Sequence, residues 1–149
     1  MSFSATECDI FLHHLAITSP APEALAGFYG NVMDMIPSKS GEGEFRCEGP
    51  GRRLIISTGN AGELNYAGYS IRSADGLARF RSNAEEQGVT ILKSPSLYFG
   101  TEAFCVQDHD GNMICFGLVQ PEQDRAGLPG PIQHLTFASP DVDGFQNFY

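Results

Sequence analysis

Residues 10–18, IFLHHLAIT, form an apolar and branched run that predicts a buried strand. Ser19-Pro20 follows, an N-cap residue with proline at the first helical position. Leu25, Phe28, Tyr29 and Val32 then recur at helical spacing, predicting a helix to about Met33. Three short strands are expected at 35–40, 44–48 and 53–58, separated by the glycine turns GEG (41–43) and GPG (49–51). The order then starts again with a strand at 64–72. A helix capped by Ser73 or Asp75 carries Leu77, Phe80 and Ala84 and stops at Gly88. Strands follow at 89–93, 103–107 and 113–119, the last two flanking DHDGN, whose Asp110-Gly111 signals a tight hairpin turn.

The pattern β-α-β-β-β therefore occurs twice, over about 10–58 and 64–119. At an offset of 52, His14 meets Tyr66, Thr18 meets Ser70, Leu25 meets Leu77 and Phe28 meets Phe80. At an offset of 120, His14 meets His134, Leu15 meets Leu135, and Ser19-Pro20 meets Ser139-Pro140. Residues 132–149 thus read as a third copy of the opening. A buried strand is expected at 132–138, then a helix from Ser139-Pro140 with Phe145, Phe148 and Tyr149 on one face. The expected organisation is a module at 1–119, a linker at 120–131 and a second module beginning at 132. The fold class is α+β. A strand carrying Ile132, Leu135 and Phe137 needs cover, so it is expected to pack on a neighbouring module's sheet edge or to be poorly ordered.

Length and charge narrow the function. A chain of 149 residues, 42% hydrophobic and 18% charged, is enough for one domain with a real core. The net charge of −9, with no Lys/Arg run, argues against nucleic acid and anionic membrane as partners. No apolar run reaches membrane length, and the first nine residues do not read as a secretory leader. Cys8, Cys47, Cys105 and Cys115 contain no C-x-x-C pair, which suggests free thiols in a reducing cytoplasm.

Two β-α-β-β-β units that open on HLAI and close on a DxDGN turn resemble the vicinal oxygen chelate superfamily. That superfamily holds glyoxalases, bleomycin and fosfomycin resistance proteins and extradiol ring-cleavage dioxygenases. The resemblance covers residues 10–119. It implies two units forming a curled mixed sheet, a cup with its helices outside. In metal-using members, one ligand lies on the first strand of a unit and a second on the equivalent strand of the next. Both are often His, and a Glu follows on the last strand. The matching positions here are His14, Tyr66 and Cys115. Strand alternation puts His14 on one face with Leu12 and Ala16, and Cys115 with Met113 and Gly117. Without the carboxylate, no metal is expected in this module, and His14 is a weak metal candidate. His14, Tyr66, Cys115 and Tyr98 are expected to line the cup. His134 occupies the first-strand position of a second module and is the better candidate ligand. Its partners would lie beyond Tyr149.

Other features have plainer readings. His13 faces away from His14 and is expected to be half-exposed or packed on a helix. His109 is expected to be exposed in its turn. DHDGN lacks the acidic fifth position of a calcium loop and reads as a hairpin. GEG lacks the dinucleotide fingerprint. Cys105 and Cys115 read as small core residues. Tyr98-Phe99-Gly100 is expected at the cup mouth or as a self-packed loop.

The resemblance implies part of an extradiol dioxygenase that opens catechol-like aromatic diols, with Fe(II), or else Mn(II), and O2 as co-reactant. The alternative is a metal-free, homodimeric protein that binds a small aromatic molecule, of the bleomycin-resistance type. A glyoxalase or fosfomycin-resistance type of enzyme ranks below both, because it needs the Glu that Cys115 replaces.

Overall fold

A computed structural model describes residues 9–118, 127 and 129–148. Cys8, Val119, most of the expected linker and Tyr149 lie outside the described residues. In chain order the elements are β1 (Ile10–Ser19), α1 (Pro22–Met33), β2 (Ile36–Gly41), β3 (Glu44–Gly49), β4 (Arg52–Thr58) and β5 (Leu64–Ile71). They continue with α2 (Ala74–Glu86), β6 (Leu92–Lys93), β7 (Phe104–Gln107), β8 (Met113–Leu118) and α3 (Val142–Phe148). The fold is α+β, as the sequence pattern predicts, with the mixed sheet that the resemblance implies. No helix among the described residues is long and apolar enough to cross a membrane.

The chain divides into two compact units. The first holds residues 13–67 with 129–133. Its strand order is β2-β3-β4-β1-β5. The β1–β4 pair is parallel, with Leu15 opposite Leu54 and Ile17 opposite Ile56, while β2–β3 and β3–β4 are antiparallel. Its core gathers Ala26, Met35, Cys47, Leu54 and Ile56, with Leu15, Ile17, Leu25, Tyr29 and Phe45 packed against them. The helical periodicity holds for Leu25 and Tyr29, which pack on this core, and fails for Phe28 and Val32. Ala26 is the buried residue of α1, whereas Phe28, Val32 and Met33 are 51%, 61% and 47% exposed. Contact with the strands runs through Leu25, Ala26 and Tyr29, and the Ala26 carbonyl accepts from the Cys47 thiol.

The second unit holds residues 9–12, 68–118 and 134–148, with strand order β5-β8-β7-β6. Its core is aromatic. Phe80 of α2 lies 4.7 Å from Phe116 and 6.3 Å from Phe104, ring centre to ring centre. The β7–β8 hairpin is antiparallel, with Cys105 opposite Cys115. Those two sulfurs form a disulfide, so the expectation of free thiols fails for this pair. The cause is register: both cysteines stand five residues from Asp110, so the hairpin sets them face to face. Cys47 is free and buried.

Several boundaries shift. β1 runs through Ser19, and α1 starts at Pro22 with Ala21 as its N-cap. The Ser19 hydroxyl instead accepts from the Ala21 backbone N–H, forming a local turn. Ser73 does cap α2, accepting from Gly76 N–H at 3.0 Å. The strand expected at 89–93 shortens to β6. The strand expected at 132–138 does not form. Its residues alternate between half-buried and exposed, but no sheet neighbour supplies a ladder. The helix beyond it does form. It starts at Val142, two residues later than Ser139-Pro140 suggests, for the same reason as α1: the Ser139 hydroxyl accepts from Asp141 N–H.

Candidate functional site

The richest buried polar cluster of the first unit lies on β1 and β5. His14 is fully buried and Tyr66 nearly so. Their rings meet edge to face with centroids 5.6 Å apart. His13 is also buried, which corrects the expectation of a half-exposed residue. Its Nδ1 lies 2.9 Å from the Nδ1 of His14, so one ring donates and the other accepts. The signal for this pair was the His13-His14 doublet inside an apolar run. Burial lowers the His14 pKa from 6.5 to about 3, with His13 and then Arg53 adding to the effect. His14 is therefore a neutral imidazole at neutral pH, able to exchange hydrogen bonds and poor at taking up a proton.

In the second unit, Cys115 is buried and bonded to Cys105. Two residues on, Gly117 lies against the ring of Phe99, and a methyl group there would run into that ring. Phe99 thus lies over the Gly117 position of β8. Tyr98 itself is half-buried. His134 is exposed, on a segment without regular structure.

A metal centre of the kind the resemblance implies takes two imidazoles and a carboxylate. Of the three matching positions, His14 alone keeps that chemistry. Tyr66 offers a phenol, and the Cys115 sulfur is committed to Cys105. Among the described residues no group of three or more His, Cys, Asp or Glu side chains is gathered in a way that could hold a metal ion. The residues present do not fit the ion.

A groove of about 580 Å³ opens elsewhere in the first unit, lined by Ala21, Pro22, Glu23, Ala24, Lys39, Gly43 and Phe45. Phe45 packs on the Ala26 core, so this groove belongs to the helix side of the strands. His14 shares the other face with Leu12 and Ala16. The groove and the histidine cluster are separate features, and none of the expected site residues lines the groove.

The DHDGN turn is built by Asp108. Its Oδ1 accepts from the backbone N–H groups of Asp110 and Asn112 at 3.0 and 2.8 Å, and its Oδ2 from the Asn112 side chain at 2.9 Å. Gly111 takes φ +87°, a conformation that favours glycine. The motif is thus a hairpin device, as the sequence predicts, with His109 exposed at its tip.

The chain resembles a catechol 2,3-dioxygenase with a TM-score of 0.73 at 13% identity, over 93% of this chain and 57% of that one. It resembles a Mn(II)-bound glyoxalase from Novosphingobium aromaticivorans with a TM-score of 0.68 at 15% identity, over 93% and 50%. A homoprotocatechuate 2,3-dioxygenase from Arthrobacter globiformis follows at 0.64 and 15%, over 77% and 38%. The chain thus spans roughly half the length of the first two, or less of the third, and at these identities the likeness is one of fold. No curated protein matches the chain. The sequence pattern of one family runs over residues 11–116, from the strand that carries His14 to the strand that carries Cys115. By that match the chain belongs to the glyoxalase/bleomycin resistance protein/dioxygenase superfamily, the vicinal oxygen chelate proteins.

Proposed function

We propose that the chain is the N-terminal part of a two-module, extradiol-type dioxygenase acting on catechol-like aromatic diols with Fe(II) and O2. In this reading residues 1–119 are the module without the metal, and His134 is the first ligand of the second. One observation carries it: the three helices start in the repeat's register. Their N-terminal cap positions are Ala21, Ser73 and Asp141, and Leu25, Leu77 and Phe145 each donate a backbone hydrogen bond to them. The offsets are the 52 and 120 residues of the sequence repeat. The third helix therefore starts in the register of the first two, although no strand precedes it. Likeness to two ring-cleavage dioxygenases, each longer than this chain, supports the same reading.

The test is the coding sequence after Tyr149. A second module is expected there, with a His and a Glu roughly 50 and 100 residues beyond His134 by the repeat spacing. The protein carrying both should bind iron and consume oxygen with catechol, and His134→Ala should abolish both. A continuation lacking that His and Glu would sink the proposal.

A second reading keeps the chain as a metal-free binding module for a small aromatic molecule, paired as a homodimer. Tyr66 and the disulfide-bonded Cys115 at ligand positions favour it. Stoichiometric iron in the purified 149-residue chain would count against it, as would a monomer by light scattering.

A further inference from the structure

His109 plays no part in the chemistry proposed above, yet it makes a specific contact. Its Nε2 lies 2.8 Å from Oδ2 of Asp141. The other oxygen of the same carboxylate accepts from the Gly144 backbone N–H at 3.0 Å. One carboxylate thus joins the tip of the DHDGN turn to the first turn of α3. Shape gives a second, independent sign. A side-chain methyl at Gly144 would run into His109 Nε2 and Asp141 Oδ2, so the glycine leaves the space that the imidazole fills. The base of the turn is firm, because Asp108 is buried and accepts three hydrogen bonds within the turn. A fixed hairpin therefore presents one exposed imidazole to a helix that has room for it.

We infer that the DHDGN turn is a docking surface for the first helix of the next repeat in the same chain, with His109 as the residue that positions α3. The inference holds whatever activity the third unit serves. The turn that closes one unit grips the helix that opens the following one, which fixes where that unit begins.

Hydrogen exchange of the Gly144 and Phe145 amides in the full chain reads the contact directly. In His109→Ala their exchange is expected to quicken about two- to fivefold, the range for an exposed side-chain pair, with the β7 and β8 amides unchanged. His109→Gln keeps a side-chain donor and is expected to recover part of the protection. Gly144→Ala is the sharper probe. On the native background it should quicken exchange, although alanine is the better helix former. With His109→Ala also present, the carboxylate is free to turn aside, and the same substitution should slow exchange. An equal effect of Gly144→Ala on both backgrounds would overturn the inference. So would unchanged α3 protection in His109→Ala, or a loss of protection that spreads through β7 and β8.

Discussion

His14 carries a pH dependence set by where it is buried. Desolvation opposes its charged form, and His13 and Arg53 add to that, so its pKa falls from 6.5 to about 3. Between those values the unfolded chain holds a proton on His14 that the folded chain does not. Stability from this residue is thus complete above pH 6.5 and is lost as pH falls toward 3, by up to about 1.4 kcal/mol per unit. Urea midpoints measured from pH 4 to 7 should rise steeply in the native protein and less steeply in His14→Asn. Equal slopes would refute this account. Ser70 presents the opposite case. Its hydroxyl is fully buried and has no hydrogen-bond partner among the described residues. Thr18, its counterpart in the repeat, donates to the Asn60 carbonyl at 2.7 Å. Ser70→Ala should therefore be neutral or stabilising, while Thr18→Val should cost about 1 kcal/mol in thermal or chemical unfolding. The sequence aligned the two residues but could not say which had a partner, because that depends on the 59–63 turn lying beside β1.

Among the elements, the start of α2 was legible, whereas α1 and α3 each begin two residues after the Ser-Pro pair that suggested their start. Ser73 could be read directly. Ala21 could not, since alanine carries no capping group, and Ser19 two residues earlier drew attention to itself. Ser19 is held in β1 opposite Thr58, and its carbonyl accepts from Gly59 N–H. α1 consequently begins with no side-chain cap. Ala21→Asp should raise stability by about 0.5–1 kcal/mol, through a cap and a favourable charge at the helix start. A drop in melting temperature would show that the backbone at Ala21 does not admit a capping geometry. Strand 132–138 failed for a related reason. Its apolar alternation was readable, but a strand exists only with a neighbour, and no local pattern reveals whether one is present. The disulfide was readable in principle from the symmetry of Cys105 and Cys115 about the turn, a clue that outweighs the missing C-x-x-C.

At the scale of the molecule, the order of elements was largely legible because each pattern is local and the repeat cross-checks it. The site was less so. Alignment named His14, Tyr66 and Cys115, but the His13 contact and the bond to Cys105 emerge only from packing and register. None of residues 129–148 is fully buried. A chain ending at Pro131 should therefore melt within about 4 °C of the 149-residue chain, the shift that 1 kcal/mol makes at this size. A larger loss would mean that residues 132–149 support the rest of the chain. Cys47 is a free, buried thiol of the first unit. Its thiol is fully enclosed, donates to the Ala26 carbonyl, and is pushed up to about 11 by burial and by Glu48. With Cys8 replaced by serine, the protein carries its own unfolding clock. A thiol reagent can mark Cys47 only when α1 lifts from β3, so the labelling rate at pH 8 times the opening of the first unit, with no probe added to the chain.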